Sequence, residues 1–237
     1  MEIIILKVTH YKEKDGIIDA ISKEGKHTLL VRSILDPKSK NAVLNNPLTI
    51  ADVELSTNNA RYNHDVVSSS MVLFTPINPQ ADLQYMSCLM LINEVTNFLL
   101  SDDEKPMIYD DLANAIYEIK KHPIPLKVVI PYIAKILRIS GYDFGVDECV
   151  MCGTRKNIVT FSFADGGFIC QDCYTPDIPK QFNRNQMLTI REAFSTKTSS
   201  ITNNDITDEE MLFILDKFFE FIFDSYGYKV KAFDLLK

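Results

Sequence analysis

The sequence has little that would mark a membrane or secreted protein. No apolar run approaches the roughly 20 residues that a membrane-spanning helix needs, although 46% of the 237 residues are hydrophobic. That share is ordinary for a globular protein and sufficient for a sizeable core. The N-terminus does not resemble a signal peptide. We therefore expect a soluble, cytoplasmic protein with no membrane partner, in a compartment where thiols stay reduced.

The motifs of common catalytic centres are also missing. The sequence has no nucleotide-binding glycine loop, no Gly-x-Ser-x-Gly and no His-Glu-x-x-His. Asp110 and Asp111 are consecutive on a predicted helix, so their carboxylates diverge and form no catalytic pair. The four histidines are scattered and lack metal-ligand spacing (His10, His27, His64 and His122). We expect no enzymatic activity and no small-molecule substrate.

Cysteines form the strongest pattern in the chain. Four of the five lie in two Cys-x-x-Cys pairs with seventeen residues between the pairs, a spacing typical of a four-thiolate zinc site. Residues 158–163 read as a strand and residues 165–167, Asp-Gly-Gly, as a turn. Such a hairpin would bring four sulfurs around one ion. The predicted ligands are Cys149, Cys152, Cys170 and Cys173.

Roles besides zinc binding fit the four cysteines less well. Disulfides are disfavoured in a reducing compartment, a redox motif needs one pair instead of two, and a zinc deaminase needs an upstream His-x-Glu. Because all four predicted ligands come from the protein, no position is open for water, and the zinc, one per chain, is expected to be structural. The fifth cysteine, Cys88, is predicted to be a core residue.

The chain changes its periodicity once, near residue 78. Five short β-branched segments between residues 2 and 75 predict a small barrel, with the OB fold favoured and an SH3-like barrel left open. After a linker at Pro76–Pro79, apolar residues at steps of three and four predict helices. The predicted fold is α+β, with an OB-fold DNA-binding domain at 1–78 and a helical domain at 79–237. The zinc-binding ribbon is an insertion at 147–176.

Charge is distributed unevenly along this chain. The net charge of −7 taken alone argues against nucleic acid, yet Lys7 to Lys40 contains eight basic and five acidic residues. The segment 32–40 places cations at alternate positions near its end, and its serine hydroxyls could donate to phosphate oxygens. A solvated loop without a ligand would have the same composition, so this pattern leaves both interpretations open.

Several motifs resemble one family, the RecO recombination mediators of bacteria. Pro37-Lys38-Ser39-Lys40 resembles its basic loop, and Gly141-Tyr142 ahead of Cys149 resembles the run that leads into its first cysteine pair. Gly166-Gly167 ahead of Cys170 is similar to the return to its second pair. Tyr226 to Lys231 resembles the family's closing motif, with Ala232 where serine is usual.

The resemblance implies a protein of DNA repair and homologous recombination. Such a protein would bind single- and double-stranded DNA, anneal single strands and, with RecR, help to load RecA onto strands coated by single-stranded-DNA-binding protein, in the cytoplasm at the nucleoid. Two alternatives remain: a zinc-stabilised protein-interaction module without its own DNA binding, and a zinc hydrolase. The expected DNA contacts are Lys7, Lys12, Lys26, Arg32, Lys38, Lys40, Arg184 and Arg191.

Overall fold

The first part of the chain folds into a closed five-stranded barrel. The computed structural model describes residues 1–56, 64–77, 82–195 and 198–237. Its strands are β1 (Glu2–Tyr11), β2 (Asp15–Ile21), β3 (Lys26–Val31), β4 (Ile50–Leu55) and β5 (Asp65–Phe74). The strand order is β1-β2-β3-β5-β4. The barrel is closed by antiparallel pairing of β1 with β4, and β3 and β5 pair in parallel. This order confirms the predicted OB-type barrel.

Strand β1 is buried on both of its faces near its start. Successive side chains of a strand point to opposite sides, so Ile3 and Ile5 enter the barrel interior while Ile4 and Leu6 point outward. The outward pair belongs to a second cluster that is continuous with the core of the helical part. An unbroken apolar run at Ile3–Leu6 therefore serves two cores at once.

Five helices and one β-hairpin make up the rest of the described chain. The predicted helices are confirmed, and the hairpin that carries the cysteines lies between the third and fourth helices. Short 3-10 helices occur at 40–45, 105–108 and 232–235. No described helix has both the length and the apolar character needed to cross a membrane. The elements are α1 (Leu83–Leu99), α2 (Tyr109–Lys121), α3 (Leu126–Ile139), β6 (Ile158–Ser162), β7 (Gly167–Cys170), α4 (Arg184–Ala193) and α5 (Asp208–Tyr226).

The sequence of helix α5 correctly indicates where the helix begins and ends, but not how much of it is buried. The Thr-x-x-Glu spacing of Thr207 and Glu210 predicts a capping box, and the structure confirms it: the Thr207 side chain accepts from the Glu210 amide while the Glu210 carboxylate accepts from the Thr207 amide. Gly227 ends the helix at φ 67°, a left-handed conformation that glycine adopts at little cost. Because the helix is apolar nearly all round, its sequence predicts a buried helix. This prediction is wrong, since Phe223 is 53% exposed. The helix packs on α3 and α4, and Phe219 packs against Phe233 near the end of the chain.

One end of the barrel is docked against the helices through polar and aromatic contacts. Lys26 at the start of β3 forms an ion pair of 2.7 Å with Asp102, and the Tyr109 hydroxyl donates to the Glu2 carboxylate at 2.7 Å. Lys23 pairs with Asp110 at 2.7 Å. Because Lys23 lies in the β2–β3 turn and Lys26 directly follows it, these ion pairs place that turn on the helical side of the barrel. The predicted linker residue Pro79 lies outside the described residues.

Glu94 on α1 fastens the end of the chain to the helices. Its carboxylate accepts from the Tyr228 hydroxyl at 2.7 Å and from the backbone amides of Lys231 and Ala232 at 2.9 and 2.7 Å. Glu94→Ala leaves these donors without their acceptor, and we expect a loss of about 2–3 kcal/mol in the free energy of unfolding. Urea denaturation measures this change in the free energy of unfolding. Glu209→Ala, at an exposed carboxylate on α5, should cost less than about 0.5 kcal/mol; equal losses would contradict this role for Glu94.

Candidate metal centre and nucleic-acid interface

The four paired cysteines converge on one point. Cys170 ends β7, and antiparallel pairing of β6 with β7 brings it back beside the first pair. All four sulfur atoms lie within 4.8 Å of one another, and Sγ of Cys152 is 3.7 Å from Sγ of Cys170. A tetrahedral site with metal–sulfur bonds of about 2.3 Å has sulfur–sulfur edges of about 3.8 Å. The four sulfurs, from Cys149, Cys152, Cys170 and Cys173, could therefore hold a metal ion.

Backbone amides around the first sulfur favour its thiolate form. Burial raises the pKa of Cys149, but hydrogen bonds from the amides of Cys170, Met151 and Cys152 outweigh it and lower that pKa to about 6. The neighbouring thiols Cys152 and Cys170 raise the pKa of Cys173 to about 12. One negative sulfur thus suppresses ionisation of another. Four thiolates at this spacing need a cation to balance them.

A close approach of two backbone segments gives the hairpin its shape. The Gly145 amide donates to the Gly166 carbonyl, and the Gly145 carbonyl accepts from the Phe168 amide, both at 2.8 Å. A Cβ atom on Gly167 would lie 2.8 Å from the Gly145 nitrogen and closer still to its oxygen. The sequence predicts a turn at residues 165–167, but Gly167 is the first residue of β7 and pairs with Ser162, so the turn lies at residues 163–166. The structure gives the reason for glycine at 167, which is that no side chain fits between the two backbones.

An aromatic cluster connects the hairpin to the helical core. Phe161 on β6 is fully buried, and its ring makes edge contacts with Phe144 and Phe168 at centroid distances of 5.4 and 5.8 Å. Phe163 stacks on Phe221 of α5 at 5.1 Å. The sequence analysis did not predict this cluster, although the phenylalanines that lie close to the cysteines in sequence could have indicated it. A disturbed metal site would therefore loosen packing beyond the hairpin.

The basic residues of the barrel gather at the end away from the helices. The β1–β2 turn and the segment after β3 are joined because the Leu35 amide donates to the Lys14 carbonyl at 3.0 Å and the Ser33 amide donates to Asp15 at 2.9 Å. Ser39 caps the 3-10 helix at 40–45 by accepting the Asn41 amide. This arrangement brings four of the predicted DNA contacts to one end of the barrel, called the basic end below. All four side chains are exposed: Lys12, Arg32, Lys38 and Lys40.

The remaining predicted contacts lie elsewhere. Lys7 is exposed midway along β1, opposite Asp19. Lys26 is at the helical end of the barrel, paired with Asp102. Arg184 is exposed at the start of α4, while Arg191 on the same helix lies 3.6 Å from Asp147 near the cysteine hairpin. Lys26 and Arg191 are thus paired with carboxylates of the helical part and its hairpin.

The barrel, the helices and the four-cysteine hairpin define a class: an OB-type barrel protein whose helical part carries a hairpin of four cysteines that could hold a metal ion. Residues 1–68 match the family described as "Recombination protein O N terminal", and residues 80–222 match "Recombination protein O C terminal". The chain belongs to the RecO family, as its motifs indicated. Family membership assigns it to DNA repair.

Similar proteins span nearly the whole chain. The DNA repair protein RecO of Oceanobacillus iheyensis is 25% identical over 94% of this chain and 86% of its own length. That of Bacillus cereus is 22% identical over 93% and 90%. That of Cutibacterium acnes is 28% identical over 74% of each chain. The likeness thus covers the barrel and the helical part together.

Proposed function

We propose that this protein is a recombination mediator that binds and anneals single-stranded DNA, also contacts double strands, and acts without covalent chemistry. With RecR, it would help to load RecA onto strands coated by single-stranded-DNA-binding protein, at the nucleoid. The observation that carries the proposal is the convergence of four exposed cations at the barrel end opposite the helices, in a chain of the RecO family. The two segments that carry these cations are joined by hydrogen bonds from the Leu35 amide to the Lys14 carbonyl and from the Ser33 amide to the Asp15 carboxylate, so the cations are held at the same end of the barrel.

Binding at this surface would rest on phosphate contacts. Lysine and arginine side chains that neutralise phosphates release counterions, so affinity falls as salt rises. Base stacking would add little, since the exposed aromatic ring beside these cations is Tyr11, with Nζ of Lys12 lying 5.0 Å from the ring centroid. We therefore expect slight sequence preference, because phosphate contacts position a strand but do not read its bases.

The four cysteines would hold one zinc ion with a structural role. The support for zinc is the donor set and its spacing: four cysteine sulfurs lie within 4.8 Å of one another, and zinc prefers such a set of thiolate ligands. Backbone amides donate hydrogen bonds to the Cys149 sulfur, and the side chains of Cys149 and Cys170 are buried. Zinc bound here would fix the return of β7 onto the segment 145–150. No residue of this site is assigned to DNA.

Reversing two charges at the basic end tests the DNA proposal. In Lys38→Glu/Lys40→Glu, two phosphate contacts are lost and repulsion is introduced, so we expect the affinity for a labelled single strand at low salt to fall at least about tenfold. The slope of log affinity against log salt should become shallower by about 1.4, since each contact with a single strand contributes about 0.7. Fluorescence anisotropy over a salt series measures both quantities.

A charge change of the same kind elsewhere provides the control. Lys121 is exposed at the end of α2 on the helical side, so Lys121→Glu should reduce the affinity by less than about twofold and leave the salt slope unchanged. No binding by the unaltered protein at low salt, or equal losses in both variants, would reject the basic end as the DNA site. A pull-down with RecR tests the partner separately, and retention of RecR by the double variant would show that the partner uses another surface.

A further inference from the structure

A carboxylate lies among the cations of the basic end. Asp36 is in the loop between Arg32 and Lys40, two residues before Lys38, and its side chain is 28% exposed. A negative charge at this position repels the phosphates that the neighbouring cations would bind. Charge alone would therefore favour a neutral residue here, so Asp36 needs a different explanation, and its hydrogen bonds supply one.

The Asp36 carboxylate joins two segments of the basic end. Its Oδ1 atom accepts from the backbone amide of Lys38 at 3.0 Å, which closes a turn within the loop. Its Oδ2 atom accepts from Nζ of Lys14 in the β1–β2 turn at 3.1 Å. The Lys38 amide, and after it Lys14, lower the pKa of Asp36, so the side chain remains a charged and therefore strong acceptor at neutral pH. One side chain thus fixes the shape of the loop and its distance from the neighbouring turn.

Backbone contacts complete the loop around Asp36. The Asp36 amide donates to the Ser33 carbonyl at 3.2 Å, and the Asp36 carbonyl accepts from the Ser39 amide at 2.8 Å. The side-chain amide of Asn41 donates to the Arg32 carbonyl at 2.9 Å and so ties the two ends of the loop together. The loop therefore has a defined conformation of its own, although it lies at the surface.

The lysines near Asp36 have different roles. Lys14 is held in an ion pair with Asp36. Across residues 1–56, 64–77, 82–195 and 198–237, no ion pair involves Lys38 or Lys40, so both ammonium groups can be given to phosphates. Two contacts made at once cost less conformational entropy when the backbone between them is already fixed. Asp36 fixes that backbone.

We propose that Asp36 is a positioning residue for DNA at the basic end. Its carboxylate holds Lys38 and Lys40 in an arrangement in which both contact phosphates of one strand, and this gain exceeds the repulsion that its own charge adds. Repulsion between exposed charges is screened by salt, whereas the hydrogen bonds of 3.0 and 3.1 Å are direct contacts. The inference rests on the proposed DNA binding, and it adds to that site a residue whose charge alone would exclude it.

Two neutral replacements of Asp36 separate its charge from its hydrogen bonds. Asp36→Asn and Asp36→Ala remove the same charge, but the asparagine side-chain oxygen can still accept from the Lys38 amide. The affinity of the full-length protein for a labelled single strand is measured by fluorescence anisotropy. Asp36→Ala should lower this affinity at least about threefold at low salt. It should also make the slope of log affinity against log salt shallower by about 0.7, because one of two phosphate contacts is lost. Asp36→Asn should keep the slope and bind as tightly as the unaltered protein, or up to about twofold more tightly.

Glu13→Ala makes the same charge change at the same end of the barrel and serves as the control. Glu13 is exposed in the β1–β2 turn, and within the described part of the chain no hydrogen bond or ion pair uses its carboxylate. Its replacement should therefore raise the affinity slightly, up to about twofold, which is opposite in sign to the effect of Asp36→Ala. The proposal is overturned if Asp36→Ala binds as tightly as Glu13→Ala, or if Asp36→Asn loses as much affinity as Asp36→Ala.

Melting temperature and salt slope together distinguish positioning from stability. If Asp36 serves stability alone, Asp36→Ala melts at a lower temperature and keeps the salt slope, and this result also overturns the proposal. No binding by the unaltered protein at low salt would reject the DNA site itself, and with it any role of Asp36 there. Melting temperatures well above the assay temperature show that the compared variants are folded.

Discussion

Cys149→Ser should abolish the proposed zinc binding and lower the melting temperature by about 10 °C or more. A serine hydroxyl is a poor zinc ligand, so the substitution leaves three thiolates around an incomplete site. Apparent binding free energies of structural zinc are about 10–16 kcal/mol, and they contribute to folding because the unfolded chain has no formed site. Losing even about 4 kcal/mol of that would lower the melting temperature of a chain of this size by about 10 °C.

Cys149 should be more sensitive than an exposed ligand. It is only 1% exposed and accepts three backbone amides, so its loss also leaves buried donors without a charged acceptor. The aromatic cluster around Phe161 would transmit the disturbance, because the rings that pack on the hairpin also pack on α5. Metal content per chain and thermal melting, measured on the same preparation, check both parts of this prediction.

Cys88 provides a control of the same residue type. It is buried in α1 at 0% exposure, and burial raises its pKa to about 12, so it stays a neutral thiol in the core. Cys88→Ala should keep one metal ion per chain and lose about 1–2 kcal/mol through the small cavity it leaves. Freshly purified protein without zinc, or a Cys149→Ser variant that melts like the unaltered protein, would disprove a structural metal site.

Gly167→Ala should be the second strongly destabilising substitution, at about 3 kcal/mol or more. The new Cβ would lie 2.8 Å from both the Gly145 nitrogen and Cγ1 of Val150. Backbone atoms cannot yield to it as a flexible side chain could, so the pairing between residue 145 and β7 must separate. Gly167 also has φ 153°, where side chains are rarely found. Urea denaturation measures the loss, and metal content shows whether the site opens with it.

Gly166 is the matched control for this prediction. It also has a positive φ, 85°, but an added Cβ would meet nothing within 4 Å. Gly166→Ala should therefore cost only the conformational strain of a non-glycine residue at positive φ, about 1–2 kcal/mol. If the two variants lose the same stability, strain alone explains both, and the close approach of the Gly145 backbone has no energetic role.

The parts that sequence predicted well are those fixed by local pattern. The Cys-x-x-Cys spacing predicted the convergence of four sulfurs, and the Thr207–Glu210 capping box predicted the start of α5. Both depend on residues near one another in sequence. The sequence could not show that Lys26 faces Asp102 or that the β1–β2 turn meets the segment after β3, because both depend on how distant segments pack.

Packing partners also decided which apolar residues were buried. The residues of β1 read as a simple strand, yet one face of it lies in the barrel and the other under helices. Phe223 on α5 has the composition of a core residue and is exposed. A helical pattern gives the face of each side chain but not what covers that face.

The opposite ends of the barrel have different neighbours, and this has a consequence for assembly. Helices occupy one end while the cations gather at the other, so a DNA strand and a protein docked on the helical part need not compete for space. Holding both on one chain would raise the local concentration of each near the other. Under the proposed function, a modest affinity at each surface would then be enough for a stable assembly of DNA, this chain and a partner protein.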